Sequence, residues 1–141
     1  MLKIKITHSA QETREYGEAF SRKLQGGEII CLQGELGSGK TTFTQGLLQG
    51  LHVPSPYTSP TFVIMKSYPQ KERQKFNVYH LDAYRVQAED ILALGWEEII
   101  QSKNNIVVVE WAEKIKKIIP PQAYWLKFEG EAENKRKIIE L

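Results

Sequence analysis

Residues 34–41 read Gly34-Glu35-Leu36-Gly37-Ser38-Gly39-Lys40-Thr41, an unbroken match to G-x-x-x-x-G-K-[ST]. No other stretch limits the fold so tightly, because this loop works only where a strand enters it and a helix leaves it. Both are legible. Ile29-Ile30-Cys31-Leu32 forms an apolar strand within residues 28–33, and residues 40–51 read as a helix. The chemistry explains each position. The glycines let the backbone curl until successive N–H groups converge on an anion. The helix adds its positive N-terminal end. Lys40 brings a point charge to the β- and γ-phosphates, and the Thr41 hydroxyl suits Mg²⁺. The expected ligands are ATP and Mg²⁺, with Glu35, Leu36, Gly37, Ser38, Gly39, Lys40, Thr41 and Thr42 around the phosphates.

The remaining pattern suits one α/β domain spanning residues 1–141, with 41% apolar and 26% charged residues. Residues 1–8 alternate like a strand and not like a signal peptide, and no apolar run approaches the ~18 residues a membrane span needs. A cytoplasmic protein without membrane partners is expected. Ser9 and Glu12 form a capping box, predicting a helix to about Leu24 that Gly26-Gly27 closes. Prolines 54, 56 and 60 make residues 53–60 a loop. Strands are predicted over 61–68 and 75–81, joined by a polar turn at 69–74. One helix follows over 88–102, with an apolar stripe of Ile91, Leu92, Leu94, Ile99 and Ile100. A buried strand at 106–109, a short helix to Ile119, and closing strands at 123–128 and 135–141 complete the chain. The whole reads as a three-layer P-loop NTPase-like fold with a mixed parallel and antiparallel sheet. Cys31 suits a small buried hydrophobe, and His8, His52 and His80 lack zinc-ligand spacing.

A P-loop needs a carboxylate to hold the metal from the other side, commonly at the end of an apolar strand. Val109 runs into Glu110 and Leu81 runs into Asp82, so both acids qualify. In an open α/β sheet, ligands collect beyond the carboxyl ends of the strands. For either acid the alternative is a solvated strand end or a helix cap. Arg85 suits phosphoryl charge or a surface ion pair, and Trp111 suits a stacking surface or, rather more, the core. Thr61, in Ser59-Pro60-Thr61-Phe62, occupies the place of a γ-phosphate sensor. The formal charge of +2 is too small for a chain that grips nucleic acid by itself.

Together these segments resemble the TsaE family, small bacterial P-loop ATPases of the threonylcarbamoyladenosine tRNA-modification system. The resemblance spans nearly all 141 residues. It rests on residues 34–42 with Phe43, on Ser59-Pro60-Thr61-Phe62, and on His80-x-Asp82-x-Tyr84-Arg85. Leu94-Gly95-x-Glu97-Glu98 and Val109-Glu110-Trp111 complete the set. Glu35 stands where the family often has Asp, and Ala83 interrupts the usual Asp-Leu-Tyr-Arg. The resemblance implies a slow, Mg²⁺-dependent ATPase that works with TsaD-like and TsaB-like proteins as they modify adenosine 37 of certain tRNAs. It would meet tRNA only through that complex. Carried onto this chain, Thr41 and Glu110 would hold Mg²⁺ and Lys40 would bind phosphate. Asp82 would act at the γ-phosphate or its attacking water, and Ser9 and Arg136 would border the adenine. Rival readings are a small-molecule kinase on the same loop and a nucleotide-gated docking protein. The five arginines are too dispersed for an Arg-rich kinase lid, and the sequence has no Asn-Lys-x-Asp segment of the kind a GTPase needs.

Overall fold

The computed structural model describes residues 2–55, 57 and 64–141. The expected sensor Thr61, with Ser59, Pro60 and Phe62, lies outside the described residues, as does the first part of the strand expected at 61–68. In chain order the elements are β1 (Lys3–Thr7), α1 (Ala10–Ser21), β2 (Ile29–Gly34), α2 (Lys40–Gly50), β3 (Met65–Tyr68) and β4 (Asn77–Asp82). Then come α3 (Ala88–Leu92), α4 (Trp96–Gln101), β5 (Asn105–Glu110), a 3₁₀ segment (Ala112–Ile118), β6 (Tyr124–Ala132) and β7 (Lys135–Glu140). The seven strands form one sheet in the order β1-β7-β6-β2-β5-β4-β3. The central β6, β2, β5 and β4 are mutually parallel, while β1, β7 and β3 pair antiparallel. The mixed sheet expected from the sequence is therefore present.

Alternation along the central strands explains the layers. Ile30, Leu32, Ile106 and Val108 face the core under α1 and α2. Ile29, Cys31, Val107 and Val109 face the core under α3, α4 and the 3₁₀ segment. Both faces are covered, so the β5 run Ile106-Val107-Val108-Val109 is apolar without a polar partner in the pattern. Cys31 is buried and its thiol is pushed up to about 12 by that burial, as suits a packing residue. Phe43 in α2 is fully buried, its ring centroid 5.4–5.7 Å from those of Tyr16, Phe20 and Phe128. Burying such a side chain contributes about 2–3 kcal/mol. It ties the helix that follows the P-loop to the core.

Helices α1 and α2 approach backbone to backbone. A Cβ on Gly46 would lie 1.9 Å from the Arg14 carbonyl oxygen, so no larger residue fits without parting the helices. Gly46→Ala should therefore cost about 1–3 kcal/mol of stability, seen as a lower urea midpoint with an unchanged slope. A native midpoint would show that this contact is not tight in solution.

Four elements differ from expectation. Strand β6 runs on to Ala132, past the strand expected at 123–128. Helix α1 stops at Ser21, capped by Arg22, before the glycine pair. The helix expected over 88–102 is two helices: Gly95 takes a left-handed φ of 87°, ends the turn after α3 and starts α4. That break buries Trp96, whose Nε1–H donates to the Ile118 carbonyl at 3.0 Å. It leaves Leu92 and Leu94, assigned to an apolar stripe by their spacing, exposed. The short helix to Ile119 is a 3₁₀ segment.

Candidate nucleotide-binding site

The carboxyl ends of β2, β4 and β5 lie side by side, with Leu32 opposite Glu110 and Glu110 opposite Asp82. The loop after β2 turns over this edge into α2. Gly37 and Gly39 take φ values of 76° and 108°, in the left-handed region that favours glycine. Gly39 is the N-cap of α2 and supplies no side-chain cap, so the first N–H groups of the helix remain open to an anion. Lys40 is buried. Its ammonium donates to the carbonyls of Gly34 (2.6 Å) and Glu35 (2.9 Å), with the Ser38 hydroxyl at 3.4 Å. It also sits 4.0 Å over the Trp111 ring. Burial lowers the Lys40 pKa, against the opposing pull of Glu110, Glu113, Asp82 and Glu35.

Thr41 and Glu110 meet directly: the threonine hydroxyl donates to Glu110 Oε1 at 2.9 Å. The other carboxylate oxygen, Oε2, is 2.6 Å from His80 Nε2. An ionised carboxylate only accepts, so opposite an ionised Glu110 the imidazole Nε2–H is the donor. His80 Nδ1 is buried and has no partner among the described residues. The sequence reading gave His80 no role because it sought metal-ligand spacing. The informative signal was different: residues two apart on a strand share a face, so His80 lies on the same side of β4 as Asp82.

Asp82 accepts from the Tyr84 N–H at 3.0 Å. Burial raises its pKa above the ordinary value and Glu110 adds to the rise, while the Tyr84 bond, His80 and Lys40 oppose it. Asp82 does not line the cavity described next; it stands opposite Glu110 in the strand register.

That cavity, about 180 Å³, joins the loop to two distant segments. Leu36, Gly37, Gly39, Lys40, Thr41, Thr42, Glu110 and Trp111 line one part. Ser9, Ala10 and Thr13 from the N-cap and start of α1, with Asn134 from the β6–β7 turn and Arg136 from β7, line the rest. Ser9 caps α1 by accepting the Glu12 N–H, and Glu12 accepts the N–H of His8. Arg136 donates to the carbonyls of Ala132 and Lys135. Its aliphatic stem lies 3.5 Å from where a Cβ of Gly39 would be, so the arginine lies in ordinary packing distance of the loop. The fold thus places Ser9 and Arg136 in the wall of the same cavity as the phosphate loop. Glu35 and Ser38 belong to the loop but not to the cavity wall.

Trp111, rated more a core residue from sequence, is half-buried against the core and also lines the cavity. It holds a left-handed φ of 59° and packs against Tyr84 at 4.8 Å between ring centroids. Such strain in a bulky residue is characteristic of functional sites. Arg85 is exposed, does not line the cavity and makes no ion pair among the described residues.

The donor set fits a nucleotide with its magnesium. Among the described residues no cluster of three or more His, Cys, Asp or Glu groups can cage a metal. Mg²⁺ is instead commonly held by one or two carboxylates together with substrate phosphates, which is what Thr41, Glu110 and an anion at the α2 N-terminus would provide. Among the described residues no helix is long and apolar enough to cross a membrane.

Comparison with known proteins agrees with this architecture. Residues 7–138 match the family model described as threonylcarbamoyl adenosine biosynthesis protein TsaE. The chain is 32% identical over 134 residues to the tRNA threonylcarbamoyladenosine biosynthesis protein TsaE of Treponema pallidum, covering 94% of this chain and 96% of that one. It is 39% identical over 140 residues to the Aquifex aeolicus protein of the same name, covering 98% and 95%. The crystal structure of Bacillus subtilis YdiB superposes with a TM-score of 0.79 at 25% identity, covering 99% of this chain and 84% of that one. With a P-loop, two strand-end acids and a cleft lined by the loop assembled on this sheet, and a family match along nearly its whole length, the chain belongs to the TsaE family.

Proposed function

We propose that this protein is a slow Mg²⁺-dependent ATPase that serves formation of the threonylcarbamoyl group on adenosine 37 of tRNAs, acting with TsaD-like and TsaB-like partners. The observation that carries the reading is the convergence of Lys40, Thr41 and Glu110 at the open N-terminus of α2. The backbone N–H groups and Lys40 bind the phosphates. Ser9 and Arg136 border the base, and Asp82, beside Glu110, takes a proton from the water that attacks the γ-phosphate. Mg²⁺, when bound, neutralises charge on the phosphate oxygens.

The reading also accounts for slowness. Arg136 holds Nη1 on backbone carbonyls at the end of the cavity assigned to the base, and Arg85 lies outside the cavity, so neither is assigned to transition-state charge. An arginine supplied by a partner can raise such rates about 10³–10⁵-fold. The isolated protein should therefore turn over ATP well below ~1 s⁻¹, and the partner pair should accelerate it. A net charge of +2 leaves tRNA alone without effect. Turnover of the pure protein, then with the partner pair, then with tRNA alone is the measurement. Stimulation by tRNA alone would overturn the indirect contact, and fast turnover dependent on a small hydroxylated acceptor would make the protein a kinase.

A further inference from the structure

A buried histidine facing no ligand is ordinarily a core residue with its ring nitrogens satisfied. His80 differs on both counts. Its side chain is 3% exposed, yet Nδ1 has no partner among the described residues. Its one polar contact is with Glu110, 4% exposed, whose other oxygen accepts from Thr41. The polar capacity of this imidazole is thus spent wholly on one carboxylate oxygen. An apolar side chain would fill the same place without leaving a nitrogen idle, so packing alone does not account for it.

The strand geometry shows how the contact is made. His80 stands opposite Val108 in the register, two residues before Glu110 on the adjacent strand, and both side chains face α2. The imidazole reaches diagonally along β5 to the carboxylate, within the span of such cross-strand neighbours. It therefore approaches Glu110 from below, on the side away from Thr41 and the cavity. Its Nε2–H occupies Oε2 and leaves Oε1 turned toward the threonine hydroxyl.

We propose that His80 is the positioning residue of the metal site: by holding Oε2 it fixes Glu110 in the rotamer that offers Oε1 beside Thr41. The inference deepens the ATPase reading above and rests on it. Groups that hydrogen-bond a metal-ligating side chain orient it and tune its affinity, and their loss typically costs about 10–100-fold. His80 acts on the carboxylate and not on the nucleotide, so it should matter to Mg²⁺-dependent binding and not to binding of the free nucleotide.

The test is calorimetric titration with ATP in EDTA and again in Mg²⁺, the ratio of the two affinities being the readout. His80→Gln can place an amide N–H near the original Nε2 position and should keep most of the Mg²⁺-dependent gain. His80→Asn reaches only as far as Nδ1, and His80→Leu fills the volume without a donor. Both should lose about 10–100-fold of the gain, with ATP affinity in EDTA unchanged. In a Glu110→Gln background, adding His80→Leu should cost nothing further, because the two act as a unit. A wild-type ratio in His80→Asn or His80→Leu overturns the inference, as does additive loss in the double variant. Equal loss with and without Mg²⁺ also overturns it, since that marks a general structural role. A wild-type protein that gains no ATP affinity from Mg²⁺ overturns the ATPase reading itself and this inference with it.

Discussion

Replacing Lys40 with alanine should weaken ATP binding by at least ~100-fold, about 2.7 kcal/mol, with or without Mg²⁺. The ammonium is held by the Gly34 and Glu35 carbonyls at the mouth of the loop, 4.0 Å from the Trp111 ring. A phosphate entering the loop gains a charge-assisted bond in a site already withdrawn from water, where such bonds are worth more than at a surface. Alanine removes that bond and also leaves the two carbonyls without their donor, so the empty loop loses a brace. Arginine should not rescue binding. Its guanidinium is planar and larger, and the site is closed by Trp111 and leaves Lys40 only 4% exposed. Calorimetric titration of both variants with ATP is the check. Wild-type affinity in Lys40→Ala would remove the phosphate from this loop.

Asp82→Asn should bind ATP normally and hydrolyse it about 10²–10⁴-fold more slowly, the usual worth of a positioned base. The amide keeps the shape of the side chain and can still accept from the Tyr84 N–H. It cannot take the proton of an attacking water. Stability should move the other way. A carboxyl whose folded pKa is raised favours the native state while protonated and weighs against it once pH rises past the unfolded value. For Asp82 burial is the first cause of the rise, with Glu110 a lesser one. At neutral pH without Mg²⁺, Asp82→Asn should therefore match or exceed the wild-type Tm. Single-turnover hydrolysis and a thermal melt on one preparation test both halves. Wild-type turnover would demote Asp82 to a structural acid.

The parts of the site written in local pattern were legible in advance. The loop announces itself by glycine spacing, and Glu110 by the apolar run it ends. Ser9 and Arg136 were not readable from pattern at all. They come from elements brought together by the α1–α2 packing and the β6–β7 hairpin, and only the family resemblance pointed to them. His80 was missed because its partner is on another strand, and the pairing that places it beside β5 is not written within β4. Helix 88–102 failed for a different reason. Its apolar spacing outweighed Gly95 in the reading, whereas in the fold one left-handed residue and the burial of Trp96 decide the path. Trp111 meets both readings offered for it, packing against the core on one side and lining the cavity on the other.

The strand order also governs how the protein comes to exist. β2 lies at the centre of the sheet, yet both its neighbours are late in the chain: Ile29 pairs with Val107 and Ile30 with Tyr124. The nucleotide loop cannot be braced by its sheet until β5 and β6 have been synthesised. Such non-local parallel pairing is slow, on the order of milliseconds to seconds, since loop-closure entropy is spent before any contact repays it. Until then Ile29-Ile30-Cys31-Leu32 is an open apolar strand of the kind that associates with other chains. The α1–α2 pair, close in sequence, is the one structure able to form early and cover one face of that strand. The tight glycine contact at Gly46 would then act during synthesis as a shield, before there is any cavity for it to shape.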